Sequence, residues 1–176
     1  GLNSNKDGLG FPFKNDDRNV LRLNGVSEYL QIDDSDVFTF GNSAGDLPFS
    51  ISAWILSPSL ASGPIVAKHK SSNREYFFGF TTGRELSILL FDEAESKYEG
   101  VKTSSFGVSD AHQWIHVVMT YNGAGDTAAS DGLKLYKNNV AEGLTESTSG
   151  GGGYDAMNAS LTAGVRIGNS EFYNNF

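Results

Sequence analysis

Phe49-Ser50-Ile51-Ser52-Ala53-Trp54-Ile55 alternates strictly between apolar and small polar positions, with Trp54 as the one large residue out of step. Period-2 alternation over seven residues specifies a strand with one buried face. Phe49, Ile51, Ala53 and Ile55 share that face, and Ser50, Ser52 and Trp54 share the other. The same period recurs on both sides of this stretch. Val20–Gly25 alternates and ends in Asn24-Gly25, a hairpin signal before a strand over Glu28–Ile32. Ile65–Lys68, Glu75–Phe80 and Glu85–Phe91 are apolar runs, the last two joined by the four-residue loop Thr81–Arg84. Lys97–Thr103, Trp114–Tyr121, Leu133–Lys137 and Val165–Gly168 follow, with turns at Asn122-Gly123 and Asn138-Asn139. Phe172–Phe176 reads as the start of a further element. Ten to twelve short strands without an amphipathic helix predict an all-β sandwich.

Composition agrees and excludes several functions. The chain has 176 residues, enough for one domain with a sizeable core. Glycine, serine and asparagine make up about a third of it, as expected of a turn-rich fold. Thirteen basic residues against 21 acidic ones give a net charge of −8, which argues against nucleic acid or anionic lipid as a partner. There is no cysteine, so disulfides, thiolate metal sites and cysteine nucleophiles are excluded. The longest uncharged stretch, 47–67, carries three prolines and five serines and is no membrane helix.

Five segments together resemble the concanavalin A-like, laminin-G-like (pentraxin-like) jelly-roll domains. They are Val20–Ile32, Phe49–Ile55, Gln113–Gly123, Leu133–Val140 and Val165–Gly168, in the family's order. The resemblance implies a two-sheet antiparallel jelly roll over residues 19–176. Residues 1–18 would form an arm or edge strand carrying Leu9, Phe11 and Phe13, with Pro12 confining it to an edge. The family's closing strand is not found before Phe176, so the full-length chain is expected to continue beyond it. The alternatives are that residues 1–18 fill the gap or that a neighbouring chain does. The segments Ser72–Gly79 and Leu89–Asp92 are also similar, more loosely, to laminin-G-like domains of marine bacterial and phage structural proteins.

The fold implied here is used for recognition and for catalysis, so candidate residues are weighed for both. Sugar binding needs aromatic faces to stack on a ring and polar groups for its hydroxyls. Tyr76, Tyr98 and Tyr136 lie on strands among polar neighbours, and Asn73 and Arg74 sit at a strand entrance. The expected core holds Phe49, Ile51, Trp54, Ile55, Trp114 and Val118. The resemblance places Trp54 in a second core under the loops, although alternation sets it opposite Phe49. Asp33, Asp34 and Asp36 are candidate oxygen ligands for a structural calcium ion, against the reading of a charged turn that keeps an edge soluble. In relatives, the first hairpin and the closing strand contribute to such a calcium site; here Asn24-Gly25 stands where Asp-Gly is commoner.

A glycosidase would need paired carboxylates on one strand face. Asp92, Glu93, Glu95 and Glu99 are the nearest match, but they fall where a loop is expected. His112 and His116 at spacing four lie roughly 13 Å apart on a strand, too far to share a metal. Asn158-Ala159-Ser160 is a glycosylation sequon. The expectation is a non-enzymatic recognition or adhesion module for a glycan or surface polymer, at an extracellular or virion surface, plausible as part of a phage tail fibre. It would have no cofactor beyond a structural calcium ion. It would assemble with itself or with other virion or surface proteins. The alternative is a purely structural virion protein, a capsid decoration or fibre without a glycan site. A glycosidase is the third reading.

Overall fold

The computed structural model describes residues 20–42, 44–126, 129–149, 153–158 and 162–170. The proposed arm at 1–18 and the element at 172–176 lie outside the described residues. Eleven strands form two antiparallel sheets, with no α-helix among the described residues. The strands are β1 (Leu30–Ile32), β2 (Phe49–Ile55), β3 (Gly63–Lys70), β4 (Asn73–Phe80), β5 (Glu85–Asp92) and β6 (Lys97–Ser105). They continue with β7 (Ile115–Tyr121), β8 (Leu133–Lys137), β9 (Val140–Ala141), β10 (Leu144–Glu146) and β11 (Val165–Ile167). One sheet has the order β1-β11-β3-β4-β5-β6-β10, and the other β2-β7-β8-β9. This is the two-sheet, all-β sandwich that the alternation predicted.

The core lies between the sheets. From the smaller sheet Phe49, Ile55, Ile115, Val117, Met119, Leu133 and Leu135 point inward, with Ile51 and Ala53 partly buried against them. Phe78, Phe80, Leu86, Ile88 and Leu90 meet them from the larger sheet. Phe40 stacks on Phe49 at 4.3 Å, and Tyr76 and Tyr121 close around the pair. Burying each large side chain is worth about 1.5–3 kcal/mol. Gly79 lets β3 and β4 approach, since a Cβ there would sit 2.2 Å from the Gly63 carbonyl oxygen.

Four expectations are corrected. Tyr76, a candidate for sugar stacking, is 2% exposed and belongs to the core. Trp54, expected inside, is 64% exposed, because it follows the strand parity of Ser50 and Ser52. Val118 is only half-buried for the same reason: the inward residues of β7 are Ile115, Val117, Met119 and Tyr121. Trp114, one residue before β7, is 37% exposed.

The Asn24-Gly25 hairpin also does not form. The Asn24 Oδ1 instead accepts hydrogen bonds from the backbone N–H groups of Val26, Ser27 and Glu28, and the Asn24 N–H donates to the Glu28 carboxylate. This is a self-contained side-chain-to-backbone loop. β1 then pairs across the fold with β11 rather than with 20–25.

A polar network pins the 34–40 segment to the larger sheet. The β3–β4 register skips Glu75, a bulge that places its carboxylate beside Lys68. Lys68 Nζ lies 2.7 Å from Glu75 and 3.2 Å from Asp34, and donates to Thr39 Oγ1 at 2.5 Å. The Phe40 N–H donates to Glu75 Oε1 at 2.7 Å. Both ion-pair side chains are fully buried.

Candidate functional site

The outer face of the smaller sheet carries an exposed aromatic platform. Strand register places Trp54 directly opposite His116, Ser52 opposite Val118, and Ser50 opposite Thr120. On the far side of β7, Val118 is opposite Tyr136 and Thr120 opposite Lys134. Opposed residues in an antiparallel pair share a face, so these side chains form one surface.

Its geometry is fixed. The Trp54 and His116 rings stack at 5.0 Å with an interplanar angle of 21°. Ser52 Oγ and His116 Nε2 share a hydrogen bond of 2.8 Å, which sets the imidazole plane. Asn138 Oδ1 accepts from the His116 N–H at 2.9 Å, and the Asn138 N–H donates to the His116 carbonyl at 2.8 Å. Asn138 and Asn139 both have positive φ, 49° and 69°, as a two-residue hairpin turn between β8 and β9 requires. That turn therefore anchors the strand that carries His116.

Trp54 and Tyr136 are separated by two strand spacings and one residue pair along the sheet, about 12 Å. Hydroxyls of Ser50, Ser52 and Thr120 lie beside them. Lys134 is the one charged side chain among these positions. A surface with aromatic faces, hydroxyls and little charge, in a chain of net charge −8, suits a neutral hydroxyl-rich ligand.

The other candidates fall elsewhere. Arg74 and Tyr98 come together on the outer face of the larger sheet, around Phe91. The Arg74 guanidinium lies 4.8 Å over the Phe91 ring, and Tyr98 packs on Phe91 at 6.0 Å. Both Arg74 Nε and the Arg74 backbone N–H donate to Glu93 Oε1, so this arginine is already engaged. Asn73 Nδ2 reaches the Ser71 carbonyl at 3.4 Å. Tyr136 alone of the five candidates lies on the platform.

His69 is buried in the Phe91 cluster, edge-on to Phe91 at 5.0 Å and to Phe77 at 6.5 Å. Burial, and then the nearby Arg74 charge, lower its pKa from 6.5 to about 4. Between those values the unfolded chain binds a proton that the folded chain refuses. Stability from the neutral imidazole is present above pH 6.5 and is lost as pH falls toward 4, by roughly 3 kcal/mol at most. Urea titrations at pH 7 and 4.5 should show His69→Phe losing less stability than wild type over that interval. An equal loss in the two proteins would refute the assignment.

Several of the acidic groups are engaged in structural hydrogen bonds and ion pairs. Asp92 Oδ1 accepts from the Glu95 N–H and Oδ2 from the Asp155 N–H, while Glu93 holds Arg74. Asn158 Oδ1, in the sequon, accepts from the N–H groups of Glu93 and Ala94. Asp34 faces Lys68. Among the described residues no group of three or more His, Cys, Asp or Glu is placed to hold a metal ion, the trio Asp33, Asp34 and Asp36 included.

Reasoning from the sequence missed Ser52 and His116 and misplaced Trp54. The signal for Trp54 was present in its parity. That for His116 was not, since its value depends on the strand beside it.

The family model described as the concanavalin A-like lectin/glucanases superfamily, a laminin-G type, matches residues 24–175. No curated protein and no solved structure matches the chain.

Proposed function

Because the chain belongs to the concanavalin A-like lectin/glucanases superfamily, we propose that it is a non-enzymatic recognition module. It binds a neutral glycan or a hydroxyl-rich surface polymer on the outer face of the smaller sheet. Trp54 and Tyr136 stack on sugar rings, Ser50, Ser52 and Thr120 meet hydroxyls, and His116 backs the Trp54 indole. An extracellular or virion surface is the setting in which such a polymer is met.

The observation that carries this reading is the exposure of Trp54, at 64%, on a ring plane fixed by His116 and Ser52. An indole held open to water in one orientation has no use in the sandwich core. A partner that covers it gains its apolar area without ordering a mobile side chain. The engagement of Asp92 and Glu93 in structural hydrogen bonds supports binding over hydrolysis.

Affinity electrophoresis through gels containing a panel of neutral polysaccharides tests the reading. At least one polymer should retard the protein. Trp54→Ala should weaken that retardation tenfold or more, about 1.4 kcal/mol, while changing stability by about 1 kcal/mol or less. Retardation that survives both Trp54→Ala and Tyr136→Ala would remove the platform from the proposal.

A further inference from the structure

The platform has a direction as well as a face. On the outer side of the smaller sheet, Trp54 and His116 form one cross-strand row, and Ser52, Val118 and Tyr136 form the next. The line from Trp54 to Tyr136 therefore crosses β7 between His116 and Val118. At one end it stops on β2, the edge of its sheet among the described strands. At the other it reaches β9, a strand of two residues, where the exposed Ala141 lies opposite Tyr136. Only a methyl group stands beyond Tyr136 in that row. A ligand chain can therefore run off the platform at both ends.

The spacing sets what such a chain must be. Trp54 and Tyr136 lie roughly 12 Å apart, two strand spacings across and one residue pair along. That is more than one pyranose ring spans, and it suits a ring and the next but one in an extended chain. Both aromatics sit on one sheet face, so both address the same side of the ligand. Rings two apart show the same side in ribbon-like chains of equatorially linked pyranoses. In a helical chain successive rings turn away. Neighbouring strands are rotated by roughly 20–25°, so positions two strands apart are turned by about 45°. A single dissolved chain can follow that turn, whereas the flat face of a crystalline polymer cannot.

We infer that the platform takes an internal stretch of a single, ribbon-like neutral polysaccharide, of the β-1,4-linked glucan or mannan type, with Trp54 and Tyr136 under alternate rings. The inference rests on the reading of this face as a glycan site and adds the chain type and the footprint. The ring between the two aromatics lies over the half-buried Val118 and over His116, whose imidazole is already bonded to Ser52. It gains no aromatic face of its own. A trisaccharide is thus the smallest ligand that reaches both stacking residues.

Two measurements test this: calorimetric titration with cello- and manno-oligosaccharides of one to six units, and affinity gels containing hydroxyethylcellulose, glucomannan or soluble starch. At least one of the two ribbon-type polymers should retard the protein and starch should not. Affinity should rise about tenfold from disaccharide to trisaccharide and only a few-fold beyond it. Tyr136→Ala should abolish that step and leave disaccharide binding within about twofold of wild type. The protein should not sediment with microcrystalline cellulose. Equal binding of mono- and trisaccharide, both lost in Trp54→Ala, would overturn the inference while leaving the glycan site in place. So would stronger retardation by starch, an unchanged step in Tyr136→Ala, or sedimentation with the crystalline polymer. No retardation by any neutral polysaccharide would remove the glycan reading and the inference with it.

Discussion

Lys68→Met is expected to cost about 3–5 kcal/mol of folding stability, measured by urea denaturation at pH 7. Lys68 and Glu75 are both fully buried, and the lysine also holds Asp34 and Thr39. Methionine fills a similar volume but leaves Glu75 as an uncompensated carboxylate. Burial already raises the Glu75 pKa against the pull of Lys68. Without the lysine it rises further above the unfolded value. The raised side of the linkage applies: stability is retained where Glu75 is protonated and is lost as pH rises through its folded pKa. The deficit of Lys68→Met against wild type should therefore shrink between pH 7 and pH 5. Adding Glu75→Gln to Lys68→Met should recover much of it, because the uncompensated charge is gone. A deficit independent of pH and untouched by the second change would mean that lost packing, not an unpaired charge, explains the effect.

Asp46→Ala should be comparably severe, about 3–5 kcal/mol. The carboxylate accepts from Tyr121 Oη at 2.7 Å, Tyr154 Oη at 2.6 Å and the Met157 N–H at 2.8 Å. It thereby joins the stretch just before β2 to β7 and to the 153–158 segment. Burial and the Asp46 charge push both phenols upward, so they remain donors throughout the working pH range. Alanine leaves two phenol O–H donors without their acceptor, one of them on a tyrosine only 1% exposed, while Tyr121 Oη keeps only the bond it accepts from the Gly125 N–H. Asp46→Asn keeps acceptor capacity on one oxygen and should cost clearly less. Melting curves of the two variants decide the matter; similar losses would show that the geometry, rather than the charged acceptor, is what counts.

The strands were legible because each sheet has one wet face, and a wet face writes period 2 into the sequence. β2, β7 and β8 showed it most clearly, and β8 falls on Leu133–Lys137 as read. β4 was legible as a strand but not by face, because Glu75–Phe80 offers no polar alternation and is buried along its whole length. That is why Tyr76 could be mistaken for a surface residue. The bulge at Glu75 has no local signature, since it is sustained by Lys68 and by the Phe40 N–H from distant parts of the chain. The Asn24-Gly25 signal was real but outcompeted: three backbone donors converge on the Asn24 side chain, and the β1 partner lies about 135 residues away in β11. Of the site, Tyr136 was legible and Trp54 was half-legible. His116 becomes visible only when β2 is set beside β7 and β8 turns at Asn138.

The platform is tested most directly by nuclear magnetic resonance titration of the wild-type protein with whichever polysaccharide retards it. The chain has two tryptophans, Trp54 and Trp114, so the indole N–H region holds two signals, assignable from Trp54→Phe. Addition of polymer fragments should shift the Trp54 indole signal together with the amides of Ser52, His116 and Tyr136. The amides of Arg74, Phe91 and Tyr98 on the opposite sheet should stay in place. Shifts centred on Arg74 and Tyr98, with the Trp54 indole unmoved, would contradict the assignment of the binding face.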